Sequence, residues 1–458
     1  MSETDARASF SGKIGFIIAA AASAIGLGNL WRFPYLTSHY GGGIFVLVYI
    51  ILAVTFGFSL MVAELSLGRR TGKSVIDAFG DLCREYRWIG ILASLVPLLV
   101  VPYYCVIGGW VTKWFAESSL GNLDALADQS YWGSFVSGQA GGMTDPTAWF
   151  IIFLLLTVLC ITLGVDKGIE KLSKVLMPAL LAMIIGIVIY ELTIPGIWDG
   201  VAFYLNPDLS KLSGGTFMGA LSQIFYSMSL ALGIMFTYGS YMKKDVSIEK
   251  SARSIGLMDT LVAILAGMMI VPVAFMMGMG DDAGMELMFV SMPQVFDMMP
   301  GGGFIAPVFY LLVLFAALTS AVSMMETVVS QFVDLMAIRR NRSIILSIVC
   351  ILLLGMLSIL GFGPLKTDLA PLDQGAGILG LFDTFTNSFM MPVSAILTCL
   401  FVGYVVKVTL VIDEVKAEGN PFRSEKLFVL MIKYLCPVFL GTMLVFTALE
   451  KLCIFSIY

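Results

Sequence analysis

Long apolar stretches separated by short polar loops dominate this chain. A helix needs roughly 20 mostly apolar residues to cross a bilayer, and about eleven stretches meet that length, at 14–36, 42–68, 89–116, 147–164, 170–194, 215–241, 252–279, 304–338, 342–361, 378–406 and 426–453. Backbone polar groups find no water in hydrocarbon, so such segments must be helical. The alternating segments of a β-barrel do not fit runs such as 151–160, which are continuously apolar. The pattern predicts an all-α polytopic membrane protein.

Composition and charge extend this picture. Of the 458 residues 58% are hydrophobic and only 13% are charged, so the natural solvent is lipid. Most Lys and Arg residues lie in alternate loops, whereas the loops at 117–146 and 280–303 have none. Because basic residues are retained on the cytoplasmic side, we expect a bacterial inner (plasma) membrane protein with a cytoplasmic N-terminus and, for an odd helix number, an external C-terminus. The net charge of −5 carries no information about nucleic acid, and we expect no nucleic-acid partner.

Two of the predicted spans are interrupted by glycine and polar residues. The first, at 19–35, contains Gly26, Gly28 and Asn29, and the sixth, at 221–241, contains Gln223 and Ser227. Glycine also serves as a packing residue in membrane helices. However, two such spans at equivalent positions in two halves of five helices are typical of inverted-repeat transporters, in which broken helices present backbone dipoles to substrate and ions. We therefore predict such a transporter.

Arg32 also lies at membrane depth in the first span. An unpaired guanidinium is costly there and faces a cavity or a carboxylate. We expect Asp383 of the tenth span to be its partner, with Gln223 as a polar neighbour. Such a link above a binding site would act as an outer gate.

The motif GLGNLWRFPY at 26–35, the three glycines at 41–43 and the polar sixth span resemble the neurotransmitter:sodium symporter family, in particular its bacterial amino-acid transporters. The resemblance covers nearly the whole chain. It implies a cytoplasmic segment (1–12), two five-helix repeats (13–196 and 197–408), and a cytoplasmic loop with an eleventh helix (409–458).

Two sodium sites are implied by this resemblance. One would use carbonyl and hydroxyl oxygens of the first and eighth spans, from Ala22, Ile25, Ala316, Thr319 and Ser320. From the residues alone, adjacent Thr and Ser hydroxyls in a membrane helix more often bond back to their own helix. The other site would contact the substrate carboxylate and use Ala24, Asn29, Ser227 and Asp259.

Asp259 stands where the leucine transporter of this family has an asparagine. We hypothesise that its fixed charge replaces chloride, so that no chloride is required. Alternatively, Asp259 carries a proton on the return step, as a desolvated acid beside a departing cation could, or it only packs against hydroxyl groups.

The resemblance also implies the solute pocket. The carboxylate would bind at the backbone of Ile25, Gly26, Leu27 and Gly28, with the hydroxyl of Tyr104, and the ammonium near Ala24, Tyr226 and Ser229. The side-chain pocket would be lined by Val100, Tyr226, Leu232, Ala321 and Met324. This apolar lining favours an aliphatic or aromatic amino acid. The choice among leucine-like, tyrosine-like and tryptophan-like solutes, and a biogenic-type amine, stays open.

At the cytoplasmic end, the matching gate residues are Arg7, Phe10, Tyr241 and Asp334, with Phe10 in place of the usual Trp. Gly168 and Pro178 match a pattern at which bacterial relatives unwind the fifth span, although a plain kink would have the same pattern.

Other functional classes fit less well. No catalytic triad, zinc-protease motif or nucleotide loop is present, and His39 is the single histidine, so we do not expect an enzyme. The scattered cysteines have no metal-ligand spacing. A proton-coupled transporter or exchanger of the same fold, and a sensor that binds without transport, remain alternatives.

Overall fold

The computed structural model describes residues 9–139, 142–278, 285–366, 369, 372 and 375–451. Across these ranges the regular elements are helical, apart from one isolated β-bridge between Gly42 and Pro207. The predicted all-α fold class is therefore confirmed.

Among the described residues, the first half of the chain contains ten helices, followed by the short 3₁₀ turn Leu209–Lys211. In chain order they are α1 Lys13–Ala24, α2 Gly28–His39, α3 Gly43–Thr71, α4 Val75–Leu82, α5 Arg84–Ser119, α6 Leu123–Leu126, α7 Gln129–Val136, α8 Thr144–Thr162, α9 Lys167–Glu191 and α10 Ile197–Leu205.

The described residues of the second half contain nine more, besides the π-helical turn Leu287–Ser291 before α14 and the 3₁₀ turn Ala417–Gly419. They are α11 Gly214–Ser227, α12 Ile234–Ser240, α13 Ile248–Met276, α14 Met292–Met298, α15 Gly302–Met336, α16 Arg340–Leu360, α17 Gly377–Val405, α18 Val408–Lys416 and α19 Glu425–Leu449.

Most predicted spans correspond to one long helix each. Within the described ranges, 9 helices are long and apolar enough to cross a membrane, and α1 with α2 form a further span bent by 53°. The sixth predicted span consists of α11 and α12, with 14 and 7 residues, and neither crosses a bilayer alone. The predicted total of eleven spans therefore stays a prediction.

The two broken spans lie inside a layer of continuous helices. Helix α1 packs against α9, α13 and α15. Helix α12 packs against α3, and α11 packs against the first part of α3. Large apolar side chains on the outer helices face outward, including Leu155, Ile189 and Leu353, which are 61%, 60% and 64% exposed. The polar interruptions are thus shielded from lipid by the helices around them.

Helix α3 approaches α12 closely at Gly68. A Cβ atom on Gly68 would lie 2.0 Å from the carbonyl oxygen of Phe236, which is far inside van der Waals contact. Glycine is therefore needed here for the close approach of two backbones. At Gly186 of α9, by contrast, a Cβ atom would meet no atom of the described residues within 4 Å.

We predict that Gly68→Ala lowers the melting temperature of the purified protein in detergent by several degrees, because overpacking of this kind costs about 1–3 kcal/mol. The matched control is Gly186→Ala, which adds the same methyl group in open space and should leave the melting temperature unchanged or slightly raised. Equal melting temperatures for the two variants would contradict the proposed packing role.

Candidate functional site

The first break separates α1 from α2 at Ile25, whose backbone is extended, with φ −72° and ψ 103°. Side chains of three other positions hold the freed backbone groups. The Asn29 side-chain oxygen accepts from the Gly26 N–H at 3.1 Å, and the Tyr104 hydroxyl accepts from the Leu27 N–H at 3.4 Å. Gln223 donates to the Gly28 carbonyl at 2.9 Å. The break is therefore a defined, hydrogen-bonded structure.

The second break, between α11 and α12, is held by a buried carboxylate. Ser229 and Ala231 have positive φ angles of 54° and 58°, a conformation that costs of order 1–3 kcal/mol for each non-glycine residue. The Ala231 N–H donates to Oε1 of Glu64 at 2.8 Å, and the Ser229 hydroxyl donates to the Ser23 carbonyl at 3.1 Å. Contacts from α3 and α1 therefore maintain the strained backbone.

The two breaks meet at the carbonyl of Ser23. This oxygen accepts from Ser229 of the second break and also from the Ser320 hydroxyl of α15, at 3.0 Å. The same Ser320 hydroxyl lies 3.3 Å from the Ile25 carbonyl. Helix α15 is therefore connected to both interruptions.

A carboxylate is fully enclosed beside the two breaks. Asp259 of α13 is 0% exposed, and its oxygens accept from Asn29 at 2.8 Å, Ser227 at 2.7 Å and Tyr49 at 3.2 Å. Among the described residues no ion pair includes Asp259. An enclosed anion of this kind, surrounded by hydroxyl and amide groups, is chemically suited to a cation.

The residues of the other predicted sodium site are brought only partly together. Ser320 reaches Ile25, as above. The Thr319 hydroxyl bonds within its own helix, to the carbonyls of Ala316 at 3.0 Å and Phe315 at 3.1 Å, which is the alternative considered for this hydroxyl pair. Ala22 is buried in the last turns of α1.

A small cavity of about 30 Å³ lies between the breaks. Most predicted pocket residues line it, namely Ala24, Gly26, Leu27, Gly28, Val100, Tyr104, Tyr226, Ser229, Leu232 and Met324. Ile25, Ser227 and Ala321 do not. The lining also includes residues that were not expected there from the sequence, which are Ser23, Ile234, Ser320, Asn387 and Met391.

A second cavity of about 550 Å³ adjoins this pocket, and both Arg32 and Asp383 line it. The expected ion pair between them is absent in this structure. Arg32 instead donates to the Ser222 hydroxyl at 2.9 Å and lies 5.2 Å from the centre of the Tyr226 ring. Asp383 accepts from Asn387 at 2.6 Å and Tyr103 at 3.1 Å. The cavity keeps the two charged groups apart, so each is satisfied by polar neighbours of its own.

The opposite end of the pocket is closed by aromatic packing. Phe10 is 2% exposed and makes edge contacts with Phe16 and Tyr238 at centroid distances of 5.5 and 5.3 Å. The Tyr241 hydroxyl donates to Glu326 at 2.9 Å, and Arg340 donates to both oxygens of that carboxylate.

The remaining expected gate residues lie as follows. Asp334 accepts from the Ser74 N–H at 2.7 Å, and Arg7 lies outside the described residues. Gly168 falls in a wide π-helical turn, Val165–Glu170, which leads into α9, and Pro178 lies further along α9.

Sequence reasoning missed several polar residues at this site. Tyr49, Glu64 and Glu326 are buried in membrane spans, and a polar group at membrane depth is itself a signal that could have identified them. Ser222, Tyr103 and Asn387 carry the same signal, but it does not show their partners, which come from distant parts of the chain except for Asp383 beside Asn387.

Comparison with known proteins agrees with this arrangement. The sequence matches the sodium:neurotransmitter symporter family over residues 7–134 and 130–454. It is 34% identical to the sodium-dependent transporter YhdH of Bacillus subtilis (strain 168) over 417 residues, covering 91% of this chain and 92% of the relative. It is 26% identical to the sodium- and chloride-dependent taurine transporter of Rattus norvegicus, covering 84% and 71% of the two chains.

The fold is also similar to a solved structure, MhsT in complex with L-phenylalanine. The TM-score is 0.86 at 32% identity, and the match covers 97% of this chain and 100% of the other. Fold and site thus define a multi-span membrane transporter with two broken helices. The chain belongs to the sodium:neurotransmitter symporter family and is a sodium-dependent transporter.

We predict that Glu64→Leu destabilises the protein and abolishes its stabilisation by sodium, because the buried Ala231 N–H loses its acceptor, at about 1–3 kcal/mol. Glu64→Gln keeps an acceptor oxygen and should retain most of both properties. The measurements are the melting temperature in detergent and its rise when sodium replaces choline.

Ser66→Ala is the matched control for this experiment. Ser66 is buried two residues away on the same helix, and its hydroxyl has no hydrogen-bond partner among the described residues. A Glu64→Leu protein that melts like the Ser66→Ala protein and still responds to sodium would show that the carboxylate does not hold the break.

Proposed function

We propose that this protein is a sodium-coupled symporter that carries a small apolar or aromatic amino acid into the cell by alternating access. The observation that carries the proposal is that two interrupted helices meet at a buried set of oxygen atoms. A small cavity lies beside them, as does the enclosed Asp259, which pairs with no cationic side chain of the described ranges. Half-helix ends and freed carbonyls of this kind suit a zwitterion and a hard cation.

Two sodium ions would occupy this centre. The first would take oxygens from Ala24, Asn29, Ser227 and Asp259, together with the substrate carboxylate. The second would take oxygens from Ala22, Ile25, Ala316, Thr319 and Ser320. The contact between Ser320 and Ile25 supports the second assignment, and the Asn29, Ser227 and Asp259 contacts support the first.

The pocket lining supports the class of substrate. Val100, Leu232, Met324 and Met391 are apolar and offer no partner for a charged side chain, which would be costly to bury. The related MhsT was solved with L-phenylalanine bound. We therefore favour an apolar or aromatic amino acid over an acidic or basic one.

The two cavities suggest how access alternates. The larger cavity reaches the pocket from the end proposed to face outward, while Phe10 and its aromatic neighbours close the other end. Arg32 and Asp383 would pair when the outer cavity closes. Residues 13–196 and 197–408 would form the two repeats that move against each other, in a plasma membrane with the N-terminus inside.

The enclosed charge of Asp259 supports independence from chloride. A permanent carboxylate beside the first sodium site would supply the negative charge that a bound chloride could otherwise provide. The proton-carrier alternative makes a different prediction, since transport would then respond to a pH gradient.

We expect proteoliposomes containing the protein to accumulate L-phenylalanine, L-tyrosine, L-tryptophan or L-leucine when an inward sodium gradient is imposed. Replacing sodium with choline should abolish accumulation, whereas replacing chloride with gluconate should have no effect. Uptake that follows an imposed pH gradient without sodium, or that strictly needs chloride, would overturn the proposal.

We predict that Asp259→Asn raises the sodium concentration for half-maximal uptake by about tenfold or more, because the ion loses a full countercharge; tenfold corresponds to about 1.4 kcal/mol. The control is Asp208→Asn, which removes the same charge from an exposed loop where the side chain caps Ser210, a role that Asn also fills. Unchanged sodium dependence in Asp259→Asn would exclude Asp259 from the ion site.

A further inference from the structure

Three residues that line the small cavity carry a side-chain oxygen with no hydrogen bond in the described part of the chain. Oγ of Ser23 is buried, whereas the hydroxyl of Tyr226 and Oδ1 of Asn387 belong to partly exposed residues. The other polar side chains of the lining are engaged, since Ser229 and Ser320 donate to the Ser23 carbonyl and Tyr104 accepts from Leu27. A polar atom left open in an apolar pocket is where a substrate group can be recognised.

The orientation of the Asn387 amide is fixed by its neighbours. Its nitrogen donates to Asp383 at 2.6 Å and to the Tyr103 hydroxyl at 3.3 Å. That hydroxyl in turn donates to the same Asp383 oxygen at 3.1 Å. Because a carboxylate only accepts, the amide nitrogen must face Asp383, and the amide oxygen remains for another donor.

Asn387 also lies on the wall shared by the two cavities. Tyr226, Asn387 and Met391 line both the small pocket and the larger cavity. A pocket of about 30 Å³ must enlarge to admit an amino acid with a ring, and this shared wall is where it opens into the free volume of about 550 Å³. A long side chain that extends this way passes Asn387.

The other two open oxygens are less suited to recognise a side chain. Ser23 lies at the break of the first span, among the groups proposed to bind the ammonium and carboxylate. The Tyr226 ring packs against Gly28 and under Arg32, and no neighbour in the described ranges fixes the direction of its hydroxyl. An acceptor whose direction is already fixed, such as the Asn387 amide oxygen, distinguishes between substrates more sharply than a hydroxyl that rotates freely, such as that of Tyr226.

We propose that Asn387 determines specificity by accepting a hydrogen bond from the ring of an aromatic substrate, so that the preferred solutes are aromatic amino acids with a donor on the ring, tyrosine first and tryptophan second. This inference rests on the proposed amino-acid transport and narrows its substrate class. The remainder of the pocket supplies apolar contact to the ring, and the amide oxygen separates tyrosine from phenylalanine.

The test measures sodium-dependent binding of L-tyrosine, L-phenylalanine and L-4-fluorophenylalanine to the purified full-length protein by isothermal titration calorimetry. The fluorinated ligand resembles tyrosine in size but lacks the donor. We expect tyrosine to bind at least about fivefold more tightly than either of the others, and Asn387→Leu to reduce this ratio to about one. A site built around a hydrogen bond rejects the analogue that lacks it.

Two further variants separate this role from a structural one. Tyr103→Phe removes the other donor to Asp383 but leaves the Asn387 oxygen, so the ratio of tyrosine to phenylalanine affinity should persist. The ratio of tyrosine to phenylalanine affinity should persist also in Tyr226→Phe, even if this variant binds both amino acids more weakly. Loss of the ratio in Tyr226→Phe with retention in Asn387→Leu would assign the recognition to Tyr226 and overturn the proposal.

Failure of this inference is distinguishable from failure of the proposed function. Equal affinities for the three ligands in the unmodified protein, with sodium-driven uptake intact, would overturn the role of Asn387 and leave the symporter standing. Sodium-driven uptake of leucine without binding of any aromatic amino acid would also overturn the role of Asn387 and leave the symporter standing. Absence of sodium-driven uptake of every amino acid tested would overturn both.

Discussion

The structure depends on one constraint, which is that an interrupted helix inside a membrane must find fixed partners for the backbone groups that it frees. Each unsatisfied group costs several kcal/mol where no water is available. Here the partners are Asn29, Tyr104 and Gln223 at the first break and Glu64 at the second. These side chains come from four different helices, so the surrounding scaffold must assemble around both breaks for either of them to be satisfied.

This requirement also explains why so much polarity is buried in an otherwise apolar chain. Glu64, Asp259 and Glu326 are each 0% exposed. Glu64 supports backbone and Glu326 binds Arg340 and Tyr241 at the inner end. Asp259 is different, because three side chains donate to it, those of Asn29, Ser227 and Tyr49. Within the part of the chain that the structure describes, neither Glu64 nor Asp259 pairs with a side-chain cation, but the donor to Glu64 is the backbone N–H of Ala231, whereas Asp259 is surrounded by hydroxyl and amide side chains that could share an ion with it.

The fold class and the place of both breaks could be predicted from the sequence, because long apolar runs and their glycine and polar interruptions are local features. The interruptions at Gly26 and Gly28 of the first span and at Gln223 and Ser227 within 221–241 were identified in this way. The hydrogen-bond partner of Arg32 could not be predicted, because whether Arg32 contacts Asp383 or Ser222 depends on the width of the cavity between Arg32 and Asp383. Asn387 was missed because its polarity alone does not show which amide atom stays open, and that follows from its bonds to Asp383 and to Tyr103, which is distant in the chain.

The hydroxyl of Ser320 shows how an ion could couple the moving parts. In this structure its single hydrogen is shared between the carbonyls of Ser23, at 3.0 Å, and Ile25, at 3.3 Å, and so the hydroxyl joins α15 to the first break. A cation bound between these oxygens would require the hydroxyl to present its lone pairs, and the same atom could no longer donate to them both. The ion would then replace a hydrogen bond as the link between the two elements, and an ionic link to several oxygens is stronger than one neutral hydrogen bond. Departure of the ion would weaken the junction on which both breaks depend, and this would connect sodium release directly to movement of the first broken span.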